Sequence, residues 1–260
     1  MRQFIEFARS GRPAREFMEL PPGPAPPEPQ RLAEDRLNLL HSPRAFGFIS
    51  RHLLCSVPLA ARRVALTFDD GPNPVATPRL LSLLAASGIR ATFFLLGRNV
   101  RRFPHLAAQI AADGHEIGNH THNHFALPLL PRPLALRELE RTSRLIESTT
   151  GQRPHLVRPP LGWFSSGVLR TLAANGYRAV LGDVYPRDCT RPGADVIARR
   201  VLERARPGSI VILHDGVPYG RADRMQTVDA VALVIDELHR QQYSFGTVSH
   251  LLDQARAESV

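Results

Sequence analysis

From Arg63 onward the chain alternates short apolar runs with stretches of helical periodicity, and most of the apolar runs break off in a cluster of polar residues. VALTF at 64–68 reads as a strand ending in DDGPNP, and ATFFLL at 91–96 reads as the next strand. Further strands are expected at 115–118, 155–158, 177–182, 209–213 and 243–248. Helices are expected between them at 78–87, 100–112, 134–148, 166–175, 193–205 and 225–241. Such alternation argues for an α/β fold with a parallel sheet, either open or closed into a barrel. In both forms ligands bind at the carboxyl ends of the strands, so a functional polar residue is to be sought just after a strand. No internal repeat and no GxxxxGK phosphate loop competes with this reading.

Ahead of this region, PPGPAPPEP from Pro21 to Pro29 withholds backbone donors from helix and sheet and reads as an extended linker. A short polar tail precedes it, and the stretch after it has the pattern of one or two short amphipathic helices. The expected organisation is an extension over 1–62, a principal domain over 63–252 and a tail over 253–260. A chain of 260 residues, 43% of them apolar, can bury a substantial core.

The net charge of +9 raises the question of a polyanionic partner. All 33 basic residues are arginine, scattered without aromatic interleaving or a helical basic stripe, so nucleic acid is not an expected partner. Cys55 and Cys189 have no CxxC spacing and indicate neither a disulfide framework nor a thiolate zinc site. Charges interrupt every apolar run of the opening MRQFIEFARSGRPAREFMEL, which therefore lacks the ~7–15-residue core of a secretory signal. The most apolar early stretch, 45–61, carries Arg51 and His52 near its middle. An arginine at a membrane centre costs at least ~2.5 kcal/mol. Neither a signal nor a transmembrane helix is expected, which favours the cytoplasm over an unconventional or misassigned start and leaves the compartment open.

Five clusters fall at carboxyl ends of the expected strands. In TFDDGP, Asp69 and Asp70 are neighbouring acids; carboxylates sharing a site push their proton affinities apart, so one can bind a cation while the other acts as a base. The same letters are also good turn chemistry. In GHEIGNHTHNH, His120 and His124 share a face if the segment is a helical turn, whereas His120, His122 and His124 share one if it is extended. Two histidines with Asp70 make the nitrogen and oxygen donor set of a catalytic zinc with one position open. Arg158 in VRPPLG is placed to pair with a carboxylate, and in LGDVYPRDC either Asp183 or Asp188 can reach inward. SIVILHDG ends a fully apolar strand in His214, and an imidazole is the natural proton donor near neutral pH. Each cluster alone has a bland reading as turn, loop or surface; five on one rim make a site.

These residues resemble the polysaccharide deacetylase family, also called the NodB homology domain or carbohydrate esterase family 4. TFDDGP is similar to its first motif, HTHNH to its H-[ST]-x-x-H motif, RPPLG to its R-x-P motif, the Asp188 region to its fourth and ILHD to its final histidine motif, in the family's order over about Arg63 to Leu252. The resemblance implies a distorted (β/α) barrel with fewer than eight strands. It also implies hydrolysis of N-acetyl groups from N-acetylglucosamine units of chitin-like oligomers or peptidoglycan. By motif, Asp69 is the implied general base and His214 the general acid. Asp70, His120 and His124 are the implied ligands of a divalent metal, zinc first, with cobalt or nickel as alternatives. Arg158 is expected to orient Asp69, and Asp188 to hold His214. Leu161, Cys189 and Ile212 are expected to wall the acetyl and sugar pocket. Leu161 and Cys189 stand where the family usually has an aromatic and a tryptophan, so substrate preference is the property they put in question. The competing reading is a carbohydrate-binding pseudoenzyme on the same scaffold, which would need neither a base nor an acid.

Overall fold

The computed structural model describes residues 52–220 and 223–258. The proline-rich segment at 21–29 and the amphipathic stretch up to residue 51 lie outside them. A parallel sheet is built from β1 (Leu53–Leu54), β2 (Arg63–Asp69), β3 (Thr92–Leu95), β4 (Glu116–Asn119), β5 (Leu156–Val157), β6 (Arg178–Val180) and β7 (Ile210–His214). The strand order is β1-β6-β5-β4-β3-β2-β7, and a two-residue strand, β8 (Ser244–Phe245), pairs with the start of β2 off this path. The helices are α1 (Ala76–Ala86), α2 (Gly97–Arg102), α3 (Pro104–Ala112), α4 (Arg132–Thr150), α5 (Ser166–Ala174), α6 (Ala194–Leu202), α7 (Met225–Arg240) and α8 (Val248–Glu258). None of these helices is long and apolar enough to cross a membrane.

The sheet curls because its far strands approach each other. Leu181 N donates to Leu54 O at 2.7 Å, and beyond β6 Val184 bridges Val211 of β7, with Ile212 N donating to Val184 O at 2.8 Å. The residue pattern leaves the parallel sheet open or closed, and the family resemblance implies a distorted barrel of fewer than eight strands. The sheet is a curled α/β half-barrel of seven strands. β2 lies between β3 and β7 and is buried along all but its first residue, which is why its sequence is apolar without alternation. Phe68, Phe93 and Phe94 are fully buried, with the Phe68 and Phe93 rings 5.0 Å apart. Burial of each such side chain contributes about 1.5–3 kcal/mol.

Register carries the sheet's functional consequence. Asp69 is the Cα partner of His214 across β2 and β7, Leu95 pairs with Asn119, and Asn119 pairs with Val157. The residues at or just beyond these strand ends therefore share one rim.

Three differences from the sequence expectation have local causes. The helix expected at 100–112 is broken at Phe103, because Pro104 has no N–H to donate and opens a new helix. The strand expected at 243–248 stops at Phe245, and α8 follows; its first amides are taken by side chains of the sheet, Val248 N by Thr92 Oγ1 at 3.0 Å and Ser249 N by Glu116 at 3.3 Å. At the other end, β1 brings residues from before Arg63 into the sheet.

Candidate metal centre and its flanking ion pairs

β2 delivers Asp69 at its last position, and the chain turns at once, with Asp70 left-handed at φ 70°. The turn is fastened from two sides. Asn99 Nδ2 donates to Asp70 O at 2.7 Å, while Asp215 N and Gly216 N donate to Asp69 O at 3.2 and 3.3 Å. A Cβ on Gly216 would lie 2.1 Å from the Asp70 carbonyl oxygen, so only glycine permits this approach. The result is that two carboxylates adjacent in sequence face different partners.

Asp70 Oδ1 faces two imidazoles. It lies 3.6 Å from His120 Nε2 and 3.4 Å from His124 Nε2, and among the described residues it has no hydrogen-bond partner although it is buried. These spacings are long for hydrogen bonds but come within about 0.1 Å of the ~3.3–3.5 Å edges of a tetrahedron of N and O ligands about 2.0–2.1 Å from a zinc ion. His120 Nδ1 donates to the Arg158 carbonyl at 2.7 Å, which leaves the Nε2 lone pair aimed into the cluster. Burial holds both imidazoles neutral, pushing His120 and His124 down to about 3. Burial also raises Asp70 to about 7, reinforced by Asp69 and Asp188 and opposed by His214 and Arg224. Neutral imidazoles and an orphaned, buried carboxylate oxygen are what a divalent cation requires, and the three donor atoms lie within 4.8 Å of one another.

The histidines meet, but not on a helical turn. The segment after Asn119 is a loop with Thr121 and His124 both left-handed, at φ 68° and 60°. It brings the His120 and His124 rings to 5.0 Å and sends His122 the other way, into a buried position beside Gly97 and Thr142. Asn119 Nδ2 donates to Leu139 O at 2.8 Å and Ser143 Oγ at 2.9 Å, while its Oδ1 accepts from Thr121 N at 2.7 Å. Glu138 on α4 accepts from the backbone N–H groups of His122 and Asn123, at 3.2 and 2.8 Å. Sequence reasoning missed both supports. A buried polar residue closing an apolar strand is a signal for Asn119, whereas nothing in the helix pattern distinguishes Glu138.

On one side of the donor set lies Arg158, 2% exposed, whose Nη1 donates to Asp69 Oδ1 at 2.6 Å and Thr67 Oγ1 at 2.7 Å. Its guanidinium also lies over the Phe94 ring, 4.2 Å from the centroid. On the other side His214 Nδ1 donates to Asp188 Oδ1 at 2.8 Å, and Asp188 Oδ2 accepts from His214 N at 2.8 Å and Thr227 Oγ1 at 2.9 Å. Burial alone would lower His214, but the charge and hydrogen bond of Asp188, with Asp70 and Asp69 adding, raise it to about 10. Asp188 itself is held low against its own burial by His214. The choice between Asp183 and Asp188 is thus resolved: Asp183 accepts from Ser209 Oγ and Ile210 N, both at 2.8 Å, at the far end of β7 from His214.

The residues expected to wall the pocket are all at least partly exposed. Leu161 is left-handed at φ 61° and 56% exposed. Cys189 is exposed, its Sγ 2.9 Å from Tyr185 OH, and the Tyr185 ring packs edge-on against His214. Ile212 and His214 share the partly exposed face of β7. Asp215, the residue after His214, is fully buried; it accepts from Thr77 Oγ1, and burial, with Asp70 and Asp69, raises it to about 7.

With this geometry in place, likeness to known proteins is informative. A model of the polysaccharide deacetylase family matches residues 56–180. The chain is 40% identical over 198 residues to a peptidoglycan-N-acetylglucosamine deacetylase of Bacillus cereus, covering 75% of this chain and 91% of that protein. It is 40% identical over 198 residues to a chitooligosaccharide deacetylase of Bradyrhizobium sp., covering 73% and 90%. Among solved structures, a peptidoglycan N-acetylglucosamine deacetylase is similar with a TM-score of 0.75 at 31% identity, over 79% of this chain and 95% of that one. A pseudoenzyme of carbohydrate esterase family 4 from Bacillus anthracis is similar with a TM-score of 0.72 at 29% identity, over 78% of this chain and 69% of that one.

Proposed function

Because the chain belongs to the polysaccharide deacetylase family, we propose that it is a metal-dependent hydrolase that removes N-acetyl groups from N-acetylglucosamine units of a chitin-like oligomer or of peptidoglycan. One observation carries this reading: two oppositely built ion pairs, Arg158–Asp69 and Asp188–His214, flank one cluster of three donor atoms on one rim of the sheet.

Asp70, His120 and His124 hold the cation in this reading. A divalent ion there, zinc or alternatively cobalt or nickel, supplies Lewis acidity toward the amide carbonyl and lowers the proton affinity of water. Asp69, oriented by Arg158, accepts a proton as the water oxygen attacks the acetyl carbon. The backbone N–H at Leu161 donates to the oxygen on which negative charge develops. The C–N bond then breaks, and His214, fixed by Asp188 with its Nε2–H outward, gives its proton to the departing nitrogen. Acetic acid and a glucosamine amine result, the acid passing its remaining proton to the amine or to solvent to leave acetate, and Asp69 and His214 have exchanged protonation states. A role in saccharide binding alone would use neither group.

The test is acetate release from chito-oligosaccharides and from peptidoglycan by the full-length protein. Chelation is expected to abolish release and added zinc to restore it. A zinc-loaded protein that releases no acetate from either substrate, but binds them, would make this chain a binding protein.

A further inference from the structure

The loop that follows His214 does not stay over its own strand. β7 neighbours β2, and β4 lies two strands beyond β2 in the sheet order. The loop nevertheless reaches the turn after β4: Val217 O accepts from Asn99 Nδ2 at 3.5 Å, and Tyr219 OH donates to Asn123 O at 2.6 Å, beside His124. The loop thus spans the carboxyl ends of β2 and β3 and ends in an aromatic ring next to the donor set. Arg98 lies over that ring, 4.7 Å from its centroid. With its hydroxyl tied down and one face covered, Tyr219 is still 51% exposed.

An exposed aromatic on a surface loop ordinarily needs no explanation, but this one is held from two directions at the edge of the site. After β5 and β6, Leu161, 56% exposed, and exposed Cys189 offer no ring, and the half-buried Tyr185 beside Cys189 has its ring engaged edge-on against His214. A pyranose presents a flat C–H face bordered by hydroxyls. An aromatic side chain with an apolar face and a wet edge complements it, and a ring already fixed by a hydroxyl bond loses little freedom when the sugar arrives.

We propose that Tyr219 is the stacking platform for a saccharide ring adjacent to the one that loses its acetyl group. This rests on the deacetylase reading for the identity of the ligand. It assigns recognition of a neighbouring sugar to the β7 loop, with Arg98 backing the ring and Asn123 fixing its tilt.

The test compares Tyr219→Ala and Tyr219→Phe in the full-length, zinc-loaded protein, using N-acetylglucosamine oligomers of two to five units as probe. Binding is measured by calorimetry in an Asp69→Asn background, where hydrolysis is slow, and KM and kcat in the otherwise native protein. Tyr219→Ala is expected to weaken binding of the four- and five-unit oligomers about tenfold. It should raise their KM more than that of the two-unit substrate. Tyr219→Phe keeps the ring and should keep most of the affinity. Affinity unchanged in Tyr219→Ala, or no binding by the parent protein, overturns the proposal. So does equal damage by both substitutions, or a fall in kcat at every length, which would make the hydroxyl tether and loop placement the operative feature. Tyr219-dependent binding without acetate release from any substrate would uphold the subsite while refuting the deacetylase reading, and the converse result would do the reverse.

Discussion

Arg158 and Asp188 each hold one side chain at the mouth of the site, by hydrogen bonds of 2.6 and 2.8 Å, and both are almost fully buried. They differ in the kind of charge they hold. Arg158 is a permanent cation set against the Asp69 carboxylate. Asp188 is an anion set against an imidazole, and it lifts His214 to about 10, so His214 carries a proton at neutral pH. In the proposed reaction the same local device, a buried counter-charge with one good hydrogen bond, serves the base on one side and the acid on the other. In each pair, removing one partner strands a buried charge, at a cost of about 3–5 kcal/mol. The conservative substitutions used below avoid this where they can.

The most severe way to test the contrast is to remove what both pairs face. His120→Ala or His124→Ala is expected to abolish stoichiometric binding of a divalent metal and with it turnover, whereas His122→Ala, whose ring points away, should retain most of the metal. Metal analysis of the three purified proteins decides it, and equal loss in all three would place His122 in the ligand set.

Next in size is the base. Asp69→Asn keeps the shape and much of the hydrogen bonding to Arg158 but cannot accept a proton, so acetate release should fall by roughly 10²–10⁴ while metal stays bound. A parallel loss of metal would mean that Asp69 belongs to the donor set, and the contrast between the two acids of the turn would collapse.

The acid side should respond less and more selectively. His214→Ala is expected to slow amide hydrolysis more than hydrolysis of an acetate ester, whose alcohol departs with less help. Asp188→Asn is expected to act through pH. An acid must be protonated, so activity falls as pH rises through its pKa; removing the Asp188 charge lowers that pKa and moves the alkaline limb of the pH–rate profile to lower pH. A cation on Asp70 moves the native limb in the same direction, so wild type and variant are to be compared with metal bound. An unmoved limb would detach His214 from the proton transfer.

The smallest effect is expected far from both pairs. Deleting residues 1–30 should leave turnover on a small soluble substrate unaltered, because every site residue lies after Arg63. Steady-state kinetics on a folded truncated protein would reveal any contribution of that segment to the site.

Much of this was legible without coordinates, for a reason that particular residues make plain. A strand buried between two others must be apolar throughout, so the point where VALTF gives way to Asp69, or IVIL to His214, marks a strand end. Parallel strands put all such ends on one rim, which locates the chemistry before any side chain is placed. Helix α8 was not legible, because its docking depends on Thr92 and Glu116, which belong to distant strands. Nor was the support that Glu138 gives the histidine loop.

The sequence by itself determined the parallel sheet, the rim and the identities of the groups that gather there, because burial and chain connectivity act on local pattern. Tertiary structure alone decided which of those groups meet. Periodicity allowed two sets of histidines, and two left-handed residues in a loop selected His120 with His124. Composition allowed two aspartates near His214, and backbone direction turned Asp183 toward Ser209 and Asp188 toward the imidazole. Strand register made Asp69 and His214 neighbours across 145 positions of sequence. Pairings of this kind depend on distances between atoms remote in the chain, and no local pattern encodes them.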